Sequence, residues 1–192
     1  RLYLQTDGEF RDASEAAGFY GPPTVPGKSL AVCADDFDGD GRTDLFVAND
    51  TIQNFLFLNR GKARFEEVAV EAGVAYGDDG RARAAMGIDS ADFANDGNLS
   101  VAIANFHEEP MSFFTVSPEH GKRVLFRDDA NRAQIGQPTL LPLTFGLVMR
   151  DFDLDGWTDL ALANGHIEPS ISRLKAELLY AQTPQVFRNL KG

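Results

Sequence analysis

A single cysteine, three histidines and a shortfall of basic residues set the first limits on this 192-residue chain. Cys33 alone cannot form an intrachain disulfide. Its place in the apolar run "SLAVCAD" predicts a packed structural thiol, not a reactive one. Eighteen Lys and Arg stand against 29 Asp and Glu, a net charge of −11, which argues against a nucleic-acid partner because a phosphate backbone demands a basic face. No apolar run is long enough to span a bilayer. The longest, "TLLPLTFGLVM", is broken by Pro142, Thr144 and Gly146, so membrane insertion is not expected. Nothing pairs a nucleophile with a base, and neither a P-loop nor a Gly-rich dinucleotide turn occurs, so the chain is not expected to be an enzyme. His120 stands alone in "SPEHGKR" and reads as a solvated turn residue. The triplets "NDT" and "NLS" match the glycosylation pattern but are frequent by chance. Both are discounted.

What the chain has is apolar residues enough for a core (43%) and many turn formers, with 18 Gly and nine Pro beside 15 Phe. That mixture predicts short strands joined by turns, within one domain over residues 1–192. The chain opens at Arg1 inside a strand-like run, "RLYLQT", and is expected to be a piece of a longer protein.

Laid on itself, the chain repeats. Asp36, Asp92 and Asp151 open the segments "DFDGDGRTDLFVAND", "DFANDGNLSVAIANF" and "DFDLDGWTDLALANG", each turning at a Gly (Gly41, Gly97, Gly156) and ending at an Asn (Asn49, Asn105, Asn164). The repeats are centred on 36–49, 92–105 and 151–164. An apolar run precedes each segment, and "FLFLNRGKARFEEVAVEAGV" after the first reads as strand, turn, strand. About four strands per repeat is what a propeller blade needs. The expected fold is all-β, a β-propeller segment of about three four-stranded blades. The one helical stretch, "EPSISRLKAELLYA" near 169–181, reads as an insertion. Three repeats cannot close a ring, so further blades or other chains are expected to complete it.

Four carboxylates crowded into nine positions repel one another unless a cation sits among them. Hard divalent cations with flexible coordination take six to eight oxygens, and Asp at alternate loop positions supplies them. In the first loop the expected calcium ligands are Asp36, Asp38 and Asp40, the carbonyl of Arg42, and Asp44. In the third they are Asp151, Asp153, Asp155, the carbonyl of Trp157, and Asp159. An EF-hand is excluded, since position twelve, where its bidentate Glu belongs, is Val47 in one loop and Leu162 in the other. The middle loop keeps Asp92 and Asp96 but has Ala94 at position three and Ser100 at position nine. It is expected to be a metal-free turn or a poorly occupied site.

With these residues in view, the chain resembles FG-GAP or VCBS repeat proteins, calcium-binding propeller repeats also found in integrin α-chains. More closely, it is similar to the cartilage-acidic-protein-like family that carries ASPIC/UnbV domains. "LYLQTDGEFRDASEAAGF", "FLFLNRGKARFEEVAVEAGV" and "NGHIEPSISRLKAELLYAQTPQVFRNLKG" carry that resemblance. It implies a seven- or eight-bladed propeller with structural calcium and no catalysis of its own, placed outside the cell, at its surface or in a periplasm. The defective middle loop and the lack of an ASPIC/UnbV segment are departures.

A second pattern recurs after the buried strand: "NFHEEP" and "NGHIEP" share Asn, His, Glu and Pro. A strand of five residues separates these loops from the Asp loops. His107 with Glu109 and His166 with Glu168 could form a metal or ligand rim. The plainer reading, that they shape turns and link adjacent blades, is preferred. The expected function is a calcium-binding scaffold for a protein or glycan partner. The alternative is part of a propeller-scaffold enzyme, such as a polysaccharide lyase or hydrolase.

Overall fold

The computed structural model describes residues 1–20, 25–116 and 124–191, and the regular structure among them is almost all β. A hairpin opens the chain, β1 (Tyr3–Thr6) with β2 (Glu9–Asp12), followed by a one-turn helix, α1 (Ser14–Ala17). The first large sheet holds β3 (Ser29–Asp35), β4 (Asp44–Asn49), β5 (Phe55–Asn59) and β6 (Phe65–Glu67). The second holds β7 (Ala85–Ala91), β8 (Ser100–Asn105), β9 (Ser112–Val116) and β10 (Phe126–Asp128). The third holds β11 (Thr144–Arg150), β12 (Asp159–Asn164) and β13 (Gln185–Phe187). Within each sheet the strands are antiparallel and lie in chain order. Each sheet is therefore an up-and-down meander, blade-like in form.

The repeats superpose down to the register. The outermost pairs of the first two strands are Ser29↔Asn49 and Asp35↔Asp44, Ala85↔Asn105 and Ala91↔Ser100, and Thr144↔Asn164 and Arg150↔Asp159. Each first strand carries a bulge at its second residue, Leu30, Met86 or Phe145. Such bulges kink a strand and raise its twist.

The sheets stack side by side, and their strands explain the lack of apolar alternation. β8 is buried at every position. Val101 and Ile103 join Phe46, Leu56 and Phe114 in the core beside the first sheet, while Ala102 and Phe113 join Met149, Leu160 and Leu162 beside the third. A strand buried on both faces reads as a continuous apolar run. The outer face of the first sheet is covered by the segment that follows α1. There Phe19 packs on Phe57 with ring centroids 4.3 Å apart, in a cluster with Val47 and Phe55. Where β7 and β11 meet, a Cβ on Gly87 would lie 2.6 Å from the carbonyl of Phe145, so the close approach needs glycine.

Two expectations are corrected. The short helical insertion expected near 169–181 is present but is only one turn long, α2 (Ile171–Leu174). Ile171 and Leu178 are buried, whereas Leu174, Leu179 and Tyr180 face solvent. No continuous apolar stripe exists to repay helix nucleation, and the segment is pinned instead by His166 N–H donating to the Tyr180 carbonyl. The third sheet has three strands, not four. β1–β2 and the segment after it repeat the bonding of β5–β6, and β13 lies where β5 lies beside its Asp loop. The described elements are thus an outer pair of strands, two four-stranded sheets and a three-stranded one.

The segments after β2, β6 and β10 share a device that the sequence reading missed. Asp12, Glu67 and Asp128 each accept the backbone N–H two residues on, from Ser14, Ala69 and Ala130. A helical turn follows, closed by Ala17→Ala13, Ala72→Val68 and Ala133→Asp129 backbone bonds. It ends at a left-handed residue: Gly18 (φ 67°), Gly73 (75°) or Gln134 (60°). Glu67 and Asp128 also receive N–H groups from the neighbouring strand, those of Leu56 and Phe113. Burial pushes both carboxyls above their ordinary pKa while these amides oppose it.

Candidate metal centre

Each Asp loop joins the first two strands of its sheet, and all three follow one backbone path. The first carboxylate straddles the turn. Asp36 Oδ1 and Oδ2 accept the N–H groups of Asp40 (3.0 Å) and Gly41 (2.7 Å). Asp92 does the same for Asp96 and Gly97, and Asp151 for Asp155 and Gly156. Carboxylate five then takes the N–H of residue seven: Arg42, Asn98 or Trp157. Positions four and six are left-handed in every loop, filled by Gly39 and Gly41, Asn95 and Gly97, Leu154 and Gly156. Asp-Gly repeats suit this path because Gly adopts positive φ without steric cost.

Position nine roots the loop in the sheet. Asp44 is fully buried at the start of β4, and its oxygens accept Phe37 N–H (2.9 Å) and Asn59 N–H (2.7 Å). Asp159 repeats this with Phe152 (3.1 Å) and Asn189 (2.8 Å). Burial raises the Asp44 pKa, and the two amides oppose that rise. A cation beside it would favour the charged form further.

The geometry gathers most of the expected ligands. Asp36, Asp38 and Asp40 bring carboxylate oxygens within 4.8 Å of one another, and so do Asp151, Asp153 and Asp159. Asp44 and Asp155 lie outside those triplets. Arg42 sits on the loop by its side chain as well as its backbone, pairing with Asp40 and donating from Nε to the Asn59 carbonyl (2.7 Å). Asp38 supplies a separate observation: its Oδ1 is buried and has no hydrogen-bond partner among the described residues. A buried carboxylate oxygen left unpaired is costly, and a hard cation is the partner that this all-oxygen donor set fits. The Asp clusters could hold a metal ion.

The middle loop forms no such triplet among the described residues. It is tied to the third sheet instead, by Asn95 Nδ2 on the Gly156 carbonyl of the third loop (2.9 Å) and by Asn189 Nδ2, just after β13, on the Phe93 carbonyl (2.9 Å). Asn95 is thus a bridge between neighbouring loops, a role its position in the sequence did not reveal.

On the far ends of the strands, the two histidines meet. His166 Nε2 lies 3.1 Å from His107 Nδ1. The expected partners do not join them: Glu109 accepts the Ala84 N–H (2.6 Å) and Glu168 caps Ser170 (2.9 Å). Glu108 stands beside His107 instead, at 4.0 Å, and pairs with Lys175. Two nitrogens without a third ligand among the described residues make an inter-sheet link, which accords with the plainer reading. Cys33 is half-buried with Sγ 3.1 Å from Ser90 Oγ, its thiol pushed up by burial. Asn49 of "NDT" is fully buried, closed to modification. His120 lies outside the described residues.

Residues 36–103, from the first Asp loop into β8, match the FG-GAP-like repeat family. The chain is an FG-GAP-repeat chain of the cartilage-acidic-protein-like kind. It is 36% identical over 166 residues to cartilage acidic protein 1 of Homo sapiens, covering 83% of this chain and 23% of that protein. Cartilage acidic protein 1 of Mus musculus is 35% identical over 171 residues, 85% of this chain and 24% of that protein. The protein of the same name from Xenopus tropicalis is 29% identical over 133 residues, 69% and 19%. The chain thus spans about a quarter or less of the length of the relatives it matches. Among the described residues no helix is long and apolar enough to cross a membrane.

Proposed function

We propose that the chain is a section of a calcium-stabilised β-propeller that works outside the cell as a non-catalytic scaffold for a protein or glycan partner. One observation carries the reading: two loops of one design each gather three carboxylates within 4.8 Å at the root of a buried strand. Asp36, Asp38, Asp40 and Asp44, with the carbonyl of Arg42, form the first site. Asp151, Asp153, Asp155 and Asp159, with the carbonyl of Trp157, form the second. Calcium fits better than magnesium, which insists on a small octahedron and keeps its waters. Its role is to cancel the repulsion of clustered Asp and to pin the first two strands of each blade. The FG-GAP-like match and the similarity to cartilage acidic protein 1 support both the metal and the extracellular setting.

The partner surface lies on the open sides. Leu30 and Val32 of β3, Val148 of β11 and Val186 of β13 are about half or more exposed, so further blades or another chain complete the stack. The test is thermal unfolding with calcium and with chelator. Asp40→Ala and Asp155→Ala should each remove much of the calcium-dependent rise in Tm, and Asp96→Ala little. Equal effects from all three would contradict the assignment of the sites.

A further inference from the structure

The two four-carboxylate loops differ in how an arginine treats them. Arg60, just after β5, donates from Nη1 to Asp38 Oδ2 at 3.0 Å and holds Glu66 with Nε at 2.8 Å. It engages one oxygen of one loop carboxylate and leaves Asp38 Oδ1 unpartnered. Arg188, just after β13, spans two loop carboxylates at once: Nε lies 2.6 Å from Asp153 Oδ2 and Nη2 3.1 Å from Asp155 Oδ2. Asp153 Oδ1 is also taken, by the Asp155 N–H at 3.3 Å.

The arginines do not occupy equivalent positions. Pairing along the sheets sets Arg188 beside Asp159 where Leu58 stands beside Asp44. Shared strand geometry therefore does not explain their common target; the charge of the carboxylates does. The middle loop, with Ala94 at position three, has Thr115 at the place of Arg188, and Thr115 turns away to Asp129 (2.7 Å). Among the described residues, an arginine outside the loop accompanies the position-three carboxylate and is missing where that carboxylate is missing.

Resting on the reading of these loops as calcium sites, we infer that Arg188 is a tethered competitor for the third loop. Its guanidinium neutralises Asp153 and Asp155 when no metal is bound and must be displaced before both can ligate one. In the first loop Arg60 engages Asp38 and Arg42, from within the loop, pairs with Asp40, but neither covers the buried Oδ1 of Asp38, which makes this the tighter site. Arg188 is exposed enough to swing away, so the third loop remains loadable at higher calcium. The pair of loops thus senses calcium over two concentration ranges.

The experiment reads the third loop alone. Trp157 is the chain's one tryptophan and sits at position seven of that loop, so its fluorescence reports calcium there. Calcium is titrated into the full chain, wild type and Arg188→Gln. Calorimetry in an Asp38→Ala background removes the first site from the signal. Arg188→Gln is expected to lower the midpoint at the third loop by about tenfold, the effect of removing one positive charge a few ångströms from a divalent ion in high dielectric. Arg188→Lys, a point charge that cannot span two carboxylates, should fall between. In chelator, Arg188→Gln should melt below wild type, because Asp153 and Asp155 lose their counter-charge. A midpoint unchanged or raised by Arg188→Gln overturns the inference while leaving calcium at the loops intact. Binding at the first loop with none at the third in either form also overturns it. No calcium heat in any form with the first loop intact overturns the calcium reading itself, and this inference with it.

Discussion

Ala85 faces Asn105 across the first two strands of the second sheet, and among the described residues the buried Oδ1 of Asn105 finds no hydrogen-bond partner. The same pairing elsewhere is complete: Ser29 Oγ donates to Asn49 Oδ1 (2.9 Å) and Thr144 Oγ1 to Asn164 Oδ1 (2.6 Å). Each Asn uses its amide N–H to hold the following loop, on the carbonyl of Gln53, Pro110 or Thr183. Only the second sheet lacks the hydroxyl. Ala85→Ser supplies one in a geometry that two sibling sheets already accommodate. It should raise unfolding free energy by about 1 kcal/mol, read by urea denaturation. Ala85→Val, with bulk and no donor, should lower it.

Leu154 holds a left-handed backbone (φ 61°) at position four of the third loop while 87% exposed. Gly39 and Asn95 occupy that position in the other loops. A branched apolar residue there strains the chain and packs little. Leu154→Asn should stabilise the protein by about 0.5–1 kcal/mol, since Asn tolerates this conformation and Leu does so poorly. Leu154→Val should destabilise it by a similar amount. Differential scanning calorimetry in chelator separates the strain from any metal effect.

The histidine pair predicts a pH dependence. The Glu168 N–H donates to His166 Nδ1, so His166 carries its proton on Nε2 and donates to His107 Nδ1. Protonating His107 removes that acceptor. Burial, and then His166 and Lys175, depress the His107 pKa, with Glu108 opposing. A histidine depressed in the folded state makes stability greatest above the unfolded value of about 6.5 and erodes it as pH falls below. Between about pH 7.5 and about pH 5.5 wild type should lose more stability than His107→Gln. Identical losses would remove the pair from the account.

The Asp loops were legible because their backbone path asks for carboxylates at positions one and five to accept amides and for left-handed residues at four and six, which leaves a repeated Asp-Gly pattern in the sequence. The doubly buried β8 was legible for the same kind of reason, as "SVAIAN" has no solvent face. What escaped was set by partners distant in the chain. His107 and His166 share offsets within their repeats, yet whether they touch depends on the spacing of neighbouring sheets. Arg188 covers two carboxylates more than thirty residues earlier. The carboxylate-capped turns after β2, β6 and β10 are too short for helix propensity to register, although the acid at Asp12, Glu67 and Asp128 followed by Ala at 17, 72 and 133 was a signal available in the sequence. The helical insertion expected near 169–181 is cut to one turn because "ISRLKAELLY" has helix-forming residues without one buried face.

The central claim is that this fold holds calcium at the first and third Asp loops and not at the middle one. Calorimetric titration of the full chain counts the sites directly. The account predicts calcium at two sites per chain, falling to one in Asp38→Ala or Asp153→Ala and staying at two in Asp96→Ala, with affinities on the order of 10⁻⁴–10⁻³ M typical of extracellular modules. Titration heat no larger than that of buffer, together with an identical Tm in calcium and in chelator, would contradict it.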